Sequence, residues 1–438
     1  MKKAISFACL LPIITAIGAQ LGTWVTPLLV IISVCVVTVL VAKDKIKGKE
    51  LYLYVYALAL SLVWQTTMMG LDVVGSDIHD EIYWARYDLT HSWDITGHSA
   101  SNTSFVIGAL APFLSKLFHC DIVWIFKIVF PLFLAGVPLI LFKMYKGIFG
   151  EKRAYYASIF FMIIPVYSME IAQIAKSMVA ELFLTIMFYA LVSNWRQWVK
   201  GLVIVICLSL AILAHYTVGI IGLCFLLGIF IFRLVTNWWK WRLVQNKKTN
   251  LLVLGLSLVI CVGVFFAYHG QAANGMAVRS VTEVVVNNLP QQSDTPISEQ
   301  DNIQEDVLNN KQGNEQESST QYKVSERIKE APTLVKLGIG ADFMNMPIEG
   351  KVFRVVQYLT ELLIIIGVLW LIFAYKKHNY PAEYVGFVGV AGVLLIMCIF
   401  VPNISVIINM TRFYHYALFA LAPMFVVGTE FIAERIGK

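Results

Sequence analysis

The residues best placed to do chemistry are gathered in one short polar run. Asp72 is followed by Gly75-Ser76-Asp77-Ile78-His79-Asp80-Glu81-Ile82-Tyr83-Trp84-Ala85-Arg86, just past the end of an apolar segment. Asp77, His79, Asp80 and Glu81 offer four oxygen or nitrogen donors within five residues. Such a group could supply a general base or hold a hard divalent cation such as Mg or Mn. The same residues could instead cap a helix, with Asp77 as N-cap and acids in the first turn. Other polar groups sit where apolar runs end: Glu170, Gln173 and Lys176, then His215 and Tyr216, then Arg412, Tyr414, His415 and Tyr416. Singly, each could anchor a helix at an interface or be a satisfied core side chain. Together they supply acids, a base and fixed cations on one face, a set suited to a phosphate-bearing lipid whose headgroup must leave. Lys127, Glu181 and Glu361 fall inside apolar runs, where a charge is costly and marks a functional position by default. Lys127 and Glu181 could pair.

The elements that position these groups follow from composition. Of 438 residues, 58% are hydrophobic and only 14% charged. With a mean hydropathy of +0.71, this excludes a soluble domain, a nucleic-acid binder and a disordered chain. About twelve spans (11–13) of roughly 20 residues each account for the excess, making an all-α polytopic membrane protein. Apolar runs lie at 4–20, 24–42, 51–69, 121–142, 153–169, 177–193, 200–213, 217–235, 251–268, 353–374, 384–401 and 413–431. Residues 198–235 as one helix would reach about 57 Å, nearly twice the hydrocarbon thickness. Both flanks are basic: Arg196 and Lys200 before, Arg233, Lys240, Arg242, Lys247 and Lys248 after. Two like-sided ends require a hairpin that turns near His215-Tyr216-Thr217.

With that hairpin the positive-inside rule assigns both termini and the Lys43–Lys49, Lys143–Arg153, Lys376-Lys377 and Arg435 groups to the cytoplasm. Net charge divides accordingly. Residues 270–350 hold twelve acids against six bases, a net of −6, while the whole chain is +6. The N-terminal Lys2-Lys3 and following apolar run favour an uncleaved first span over an export signal. The seven cysteines form no CxxC pair and imply neither a zinc site nor a disulfide framework.

Three regions result. Residues 1–268 form an N-terminal transmembrane module with a first outer loop, 70–119, whose Ser104–His119 stretch reads as a helix lying in the interface. Residues 269–352 form a large extracytoplasmic loop whose middle, 290–325, is too polar to fold. Residues 353–438 supply the C-terminal transmembrane helices. No internal repeat is evident.

Asp77-Ile78-His79-Asp80-Glu81 resembles the D-I-H-x-E signature of an uncharacterised prokaryotic family of multi-pass membrane proteins, a domain of unknown function grouped with the GT-C glycosyltransferase superfamily. The resemblance continues through Trp93-Asp94, Trp124–Pro131, Ala175–Phe183, Ala214–Thr217, Thr411–His415 and Ala422-Pro423. It implies a GT-C-like fold that transfers a sugar from a polyprenyl-phosphate carrier, outside the membrane, with inversion. In that superfamily an acid of the first outer loop acts as base or helps to hold a metal, a role that Asp77, His79 and Glu81 match. Basic groups bind the carrier phosphate, a role that Lys176, Arg412 and His415 match. Relatives carry Arg where this chain has Lys176, which keeps the charge and loses the bidentate fork.

The expected function is therefore a plasma-membrane glycosyltransferase of cell-surface polysaccharide or glycoconjugate synthesis. Asp77 or Glu81 is its base, and Glu170, Lys176, His215, Tyr216, Arg412, His79 and His415 contact substrate. Its partners would be a polyprenyl-phosphate sugar donor, a glycan, lipid or protein acceptor and membrane lipids, and no nucleic acid. A repeat-unit polysaccharide polymerase, a lipid-linked oligosaccharide flippase and a non-catalytic envelope scaffold are the alternatives.

Overall fold

Each of the twelve apolar runs is helical in the structure, a computed structural model that describes residues 2–96, 101–238, 249–276, 278, 279, 282, 343–378, 380–400 and 409–437. The first third of the chain forms α1 (Lys2–Gln20), α2 (Val25–Ala42), α3 (Lys49–Thr67), α4 (Asp77–Thr90), α5 (Val106–Phe118) and α6 (Ile122–Phe149). A bent pair follows, α7 (Glu151–Ile163) and α8 (Val166–Gln173), then α9 (Ala175–Val192), α10 (Gln197–Ala214), α11 (Tyr216–Trp238) and α12 (Leu251–His269). The chain closes with α13 (Ile348–His378), α14 (Ala382–Phe400) and α15 (Met410–Ile436). Among the described residues nine helices are long and apolar enough to cross a membrane, or ten with the bent pair α7–α8 counted as one span. The two other expected spans, α1 and α3, pack along each other. The expected unfolded stretch 290–325 and the basic residues Lys240, Arg242, Lys247 and Lys248 lie outside the described residues.

Breaks fall where chemistry demands them. Pro165 confines Ile164 to extended backbone (ψ 125°), so α7 stops and α8 leaves at 56°. His215 is extended (φ −153°, ψ 114°) between α10 and α11. Beyond it the chain doubles back, and a Cβ on Gly219 would meet the Ile212 backbone at 2.8 Å. The expected hairpin is thus real, and its turn is one residue. Ser104 Oγ donates to the Ala214 carbonyl at 2.6 Å, filling an acceptor that the helix end leaves open. α5 is only about 20 Å long, too short to cross, as the reading of 104–119 requires.

Proline inside a span removes one N–H and orphans the carbonyl four residues earlier. In three places a neighbouring helix supplies the missing donor. Pro131 frees the Lys127 carbonyl, which accepts from Thr67 Oγ1 at 3.2 Å. Pro138 frees that of Leu134, which accepts from Tyr167 Oη at 3.3 Å. Pro423 frees that of Phe419, which accepts from Tyr145 Oη at 2.9 Å. Without water these carbonyls have no other recourse.

α6, α9 and α15 form the centre of the bundle, whereas α2, α12 and α13 expose most of their surface. α13 runs parallel to α15: Tyr414 lies beside Thr360, and further along a Cβ on Gly367 would strike the Met424 carbonyl at 1.9 Å. Glycine there lets the two backbones touch.

Lys127 and Glu181 do not pair, contrary to expectation. Lys127 Nζ donates to the carbonyls of Met69 (3.0 Å), Gly70 (3.1 Å) and Asp72 (2.6 Å). Its ammonium thus gathers the carbonyls of the loop that follows α3. Replacing Lys127 with Met should lower unfolding stability by roughly 3 kcal/mol, since buried acceptors left unmade cost about 1–3 kcal/mol each. Tyr145→Phe should cost about 1 kcal/mol by the same argument. Both are read from thermal unfolding in detergent or nanodiscs.

Candidate active site

The Lys127 contact fixes residues 69–72 and so sets where α4 begins. Gly75 completes the approach: its φ of +125° suits glycine, and the Gln173 side chain lies where a Cβ would stand, 2.5 Å away. α4 then starts at Asp77, with Ser76 rather than Asp77 at the N-cap position. Successive residues turn by 100°, so Ile78, Glu81, Ile82, Ala85 and Asp88 face inward while His79 and Asp80 are exposed.

Glu81 is fully buried. Its Oε2 accepts the Ala175 backbone N–H at 2.7 Å, at the first turn of α9, and its Oε1 lies 3.3 Å from Lys176 Nζ. Burial pushes its carboxyl up to about 7, against the opposing pull of Lys176 and the Ala175 N–H. Asp88, on the same inner face, is pushed up by burial to about 6. Glu81 is thus buried against Lys176 and absent from the cavity wall, at odds with the expectation that it could serve as base. What it positions is Lys176, whose ammonium also donates to Ser101 Oγ at 3.1 Å.

Asp77 turns the other way. Its Oδ2 pairs with Arg412 Nη2 of α15 at 3.0 Å, with both side chains partly exposed. Asp80, one turn on, accepts from Trp84 Nε1 at 3.1 Å. Glu170 of α8 accepts from Thr411 Oγ1 at 2.7 Å, and Asn409 Oδ1 caps α15 through the Thr411 N–H at 3.1 Å. His215, in the one-residue turn, shares a 3.2 Å hydrogen bond between Nδ1 and Ser177 Oγ. Burial first, and then Lys176, Arg412 and His269, hold its pKa well below the usual imidazole range. It is therefore neutral, a hydrogen-bonding group and a poor proton acceptor.

Asp77, Asp80, Glu170, Lys176, His215, Tyr216 and Arg412 all line one cavity of about 2050 Å³. Its polar end holds these groups. Its remainder is walled by aliphatic and aromatic side chains, among them Ile159 and Phe160 of α7, Ile364 and Val368 of α13, Leu395 of α14 and Phe425 of α15. Seven of the chemistry-bearing residues therefore meet, although they come from four separate stretches of chain.

Three expected members do not, the buried Glu81 among them. His79 points away from the cavity. His415 is fully buried and pairs through Nε2 with Glu181 Oε2 at 3.1 Å, so it answers an acid in the core and is not presented to a phosphate. The candidate metal ligands do not converge either. Asp77, His79 and Glu81 face three ways, and among the described residues no group of three or more His, Cys, Asp or Glu converges to hold an ion. Asp80 had been seen only as part of the motif, yet its spacing of three from Asp77 places both at the cavity. Arg354 and Gln357 also line it, from the start of the apolar run at 353–374.

The model of an uncharacterised family, described as a predicted membrane protein (DUF2206), matches residues 343–438, the stretch that forms α13 to α15. No curated protein and no solved structure matches the chain.

Raised carboxyl pKa values have a defined sign. Between the ordinary Glu value of 4.5 and about 7, the folded chain holds a proton at Glu81 that the unfolded chain has released. Stability from this site therefore falls as pH rises through that window and stays lower above it. Glu81→Gln should flatten the decline of melting temperature between pH 5 and 8 relative to the parent. Glu81→Ala, which also uncaps α9, should cost about 1–2 kcal/mol at either pH.

Proposed function

We propose that the protein is a membrane glycosyltransferase that moves a sugar from a polyprenyl-phosphate donor to a hydroxyl acceptor at the polar end of the cavity. One observation carries the reading: carboxylates and cations stand together at one end of a large cavity whose walls beyond them are largely apolar. That division matches a ligand with a charged head and a long hydrocarbon tail. It also suits chemistry in which a proton leaves one group while negative charge collects on another.

Asp77 is the base. It takes the proton of the acceptor hydroxyl, and the oxygen attacks the anomeric carbon on the face opposite the carrier. The anomeric C–O bond breaks, its electron pair stays on the phosphate, and the configuration inverts. Lys176 and Arg412 receive the charge that develops there. Arg412 has two claims on it, since it already holds Asp77 at 3.0 Å. A donor phosphate that draws the guanidinium away frees the Asp77 carboxylate to face the acceptor hydroxyl. Binding of donor thereby prepares the base. Glu81 keeps Lys176 at its post, and neutral His215 and Tyr216 offer hydrogen bonds without adding charge.

The active end is assigned to the extracytoplasmic face of the plasma membrane. Support comes from the opposite end of the bundle, where Lys146, Lys152 and Arg153 pair with Glu151, Asp44 and Glu430. One observation favours a second reading. The cavity continues to Thr38, Thr429 and Glu430 near that basic end, as a flippase for lipid-linked oligosaccharides would need.

Proteoliposomes supplied with radiolabelled polyprenyl-phosphate sugar separate these readings. Transfer of label to acceptor is expected, with Asp77→Asn slower by about 10²–10⁴-fold and Arg412→Gln weaker in donor KM. Transfer at the parent rate in Asp77→Asn would overturn the assignment. Movement of lipid-linked label across the bilayer with no new glycosidic bond would favour the flippase.

A further inference from the structure

Along α13 a row of polar side chains faces the cavity and takes no part in the steps above. Arg354 Nη1 donates to Gln357 Oε1 at 2.9 Å, and Gln357 Nε2 donates to Glu361 Oε1 at 2.9 Å. Spacings of three and four put all three on one helix face, and the same face continues as Ile364 and Val368, also in the cavity wall. Tyr414 of α15 lies beside Glu361 and Thr360, two residues from Arg412. The row is therefore adjacent to the proposed donor site and shares its space.

We infer that Arg354, Gln357 and Glu361 form the acceptor site, and that the acceptor end seated there is an uncharged, hydroxyl-rich saccharide. Two arguments carry this. The row alternates donor, donor–acceptor and acceptor groups, and a carboxylate or amide can engage the paired hydroxyls of a sugar. Charge decides against an anionic acceptor. At this end of the cavity Asp77, Asp80, Glu170 and Glu361 outnumber Lys176, Arg354 and Arg412. A bound donor phosphate claims the cations and leaves the carboxylates to repel a second anion. The place of this site in the reaction rests on the glycosyl-transfer reading; the binding itself does not.

The test reads binding without turnover. Full-length protein in nanodiscs is titrated with a panel of neutral disaccharides and with their sulfated counterparts, followed by saturation-transfer NMR. At least one neutral sugar should bind, with its sulfated counterpart at least ten-fold weaker. A Gln357→Ala, Glu361→Ala double variant should lose that binding by ten-fold or more while still binding a short-chain polyprenyl phosphate as the parent does. If the double variant unfolds early, isosteric Glu361→Gln takes its place with the same expectation. The site is overturned if no neutral sugar binds, if the sulfated sugar binds equally well, or if the variants bind as the parent does. Saccharide binding without any transfer activity would instead overturn the transferase reading and leave this site standing.

Discussion

A buried carboxylate with no water beside it must find its partners in the protein, and Glu81 finds two on one element. By accepting the first backbone N–H of α9 and facing Lys176, it ties α4 to α9 at a single point. Everything at the polar end of the cavity is measured from that tie. It sets the rotation of α4, which sends Asp77 toward α15 and Asp80 toward the cavity. It also denies Lys176 the freedom of a long side chain. The ammonium of Lys127 does the matching service upstream by holding the carbonyls that lead into α4. Two buried groups, Glu81 and Lys127, thus hold in place the elements that shape the polar end of the cavity.

The division of labour between Asp77 and Glu81 follows from this. Both are acids in one helical turn, and both sit within hydrogen-bonding reach of a cation. Burial separates them. Glu81 meets a backbone dipole in a closed space, and its proton becomes hard to lose. Asp77 meets a guanidinium at the edge of an open one. A catalytic base needs access to substrate as well as a suitable affinity for protons, and of the two Asp77 alone lines the cavity.

Much of the architecture was legible in the amino-acid sequence because hydrocarbon imposes a simple rule of length and polarity. The apolar runs, the short helix at Val106–Phe118 and the turn at His215 could all be read from hydropathy and from basic flanks. The proximity of Lys176, His215 and Arg412 was legible only as membership of one face. What stayed hidden was the choice of partner. Nothing in the spacing of 77 and 81 says which side of α4 is inward, so the buried acid and the open one looked alike. Lys127 and Glu181 seemed natural partners as isolated charges in spans. Each had a nearer one: carbonyls at a helix end for Lys127, and an imidazole in the core for Glu181. Arg354 and Gln357 escaped notice because the outer turns of a span tolerate polar residues of any kind, and only a cavity beside them gives them meaning.

The proline sites have a consequence for how the chain assembles. α6, with Pro131 and Pro138, enters the bilayer with two carbonyls that its own helix cannot satisfy, and α15, with Pro423, with one; a hydroxyl on a different helix completes each. These pairs act as an address system. A helix that docks against the wrong neighbour, or in the wrong rotation, keeps its vacancy and gains less than the right one. Proline, usually read as a disruption, here supplies the specificity that nonpolar surfaces in lipid cannot. The hydroxyl and the proline should therefore change together over evolutionary time, as two halves of one instruction written on separate helices.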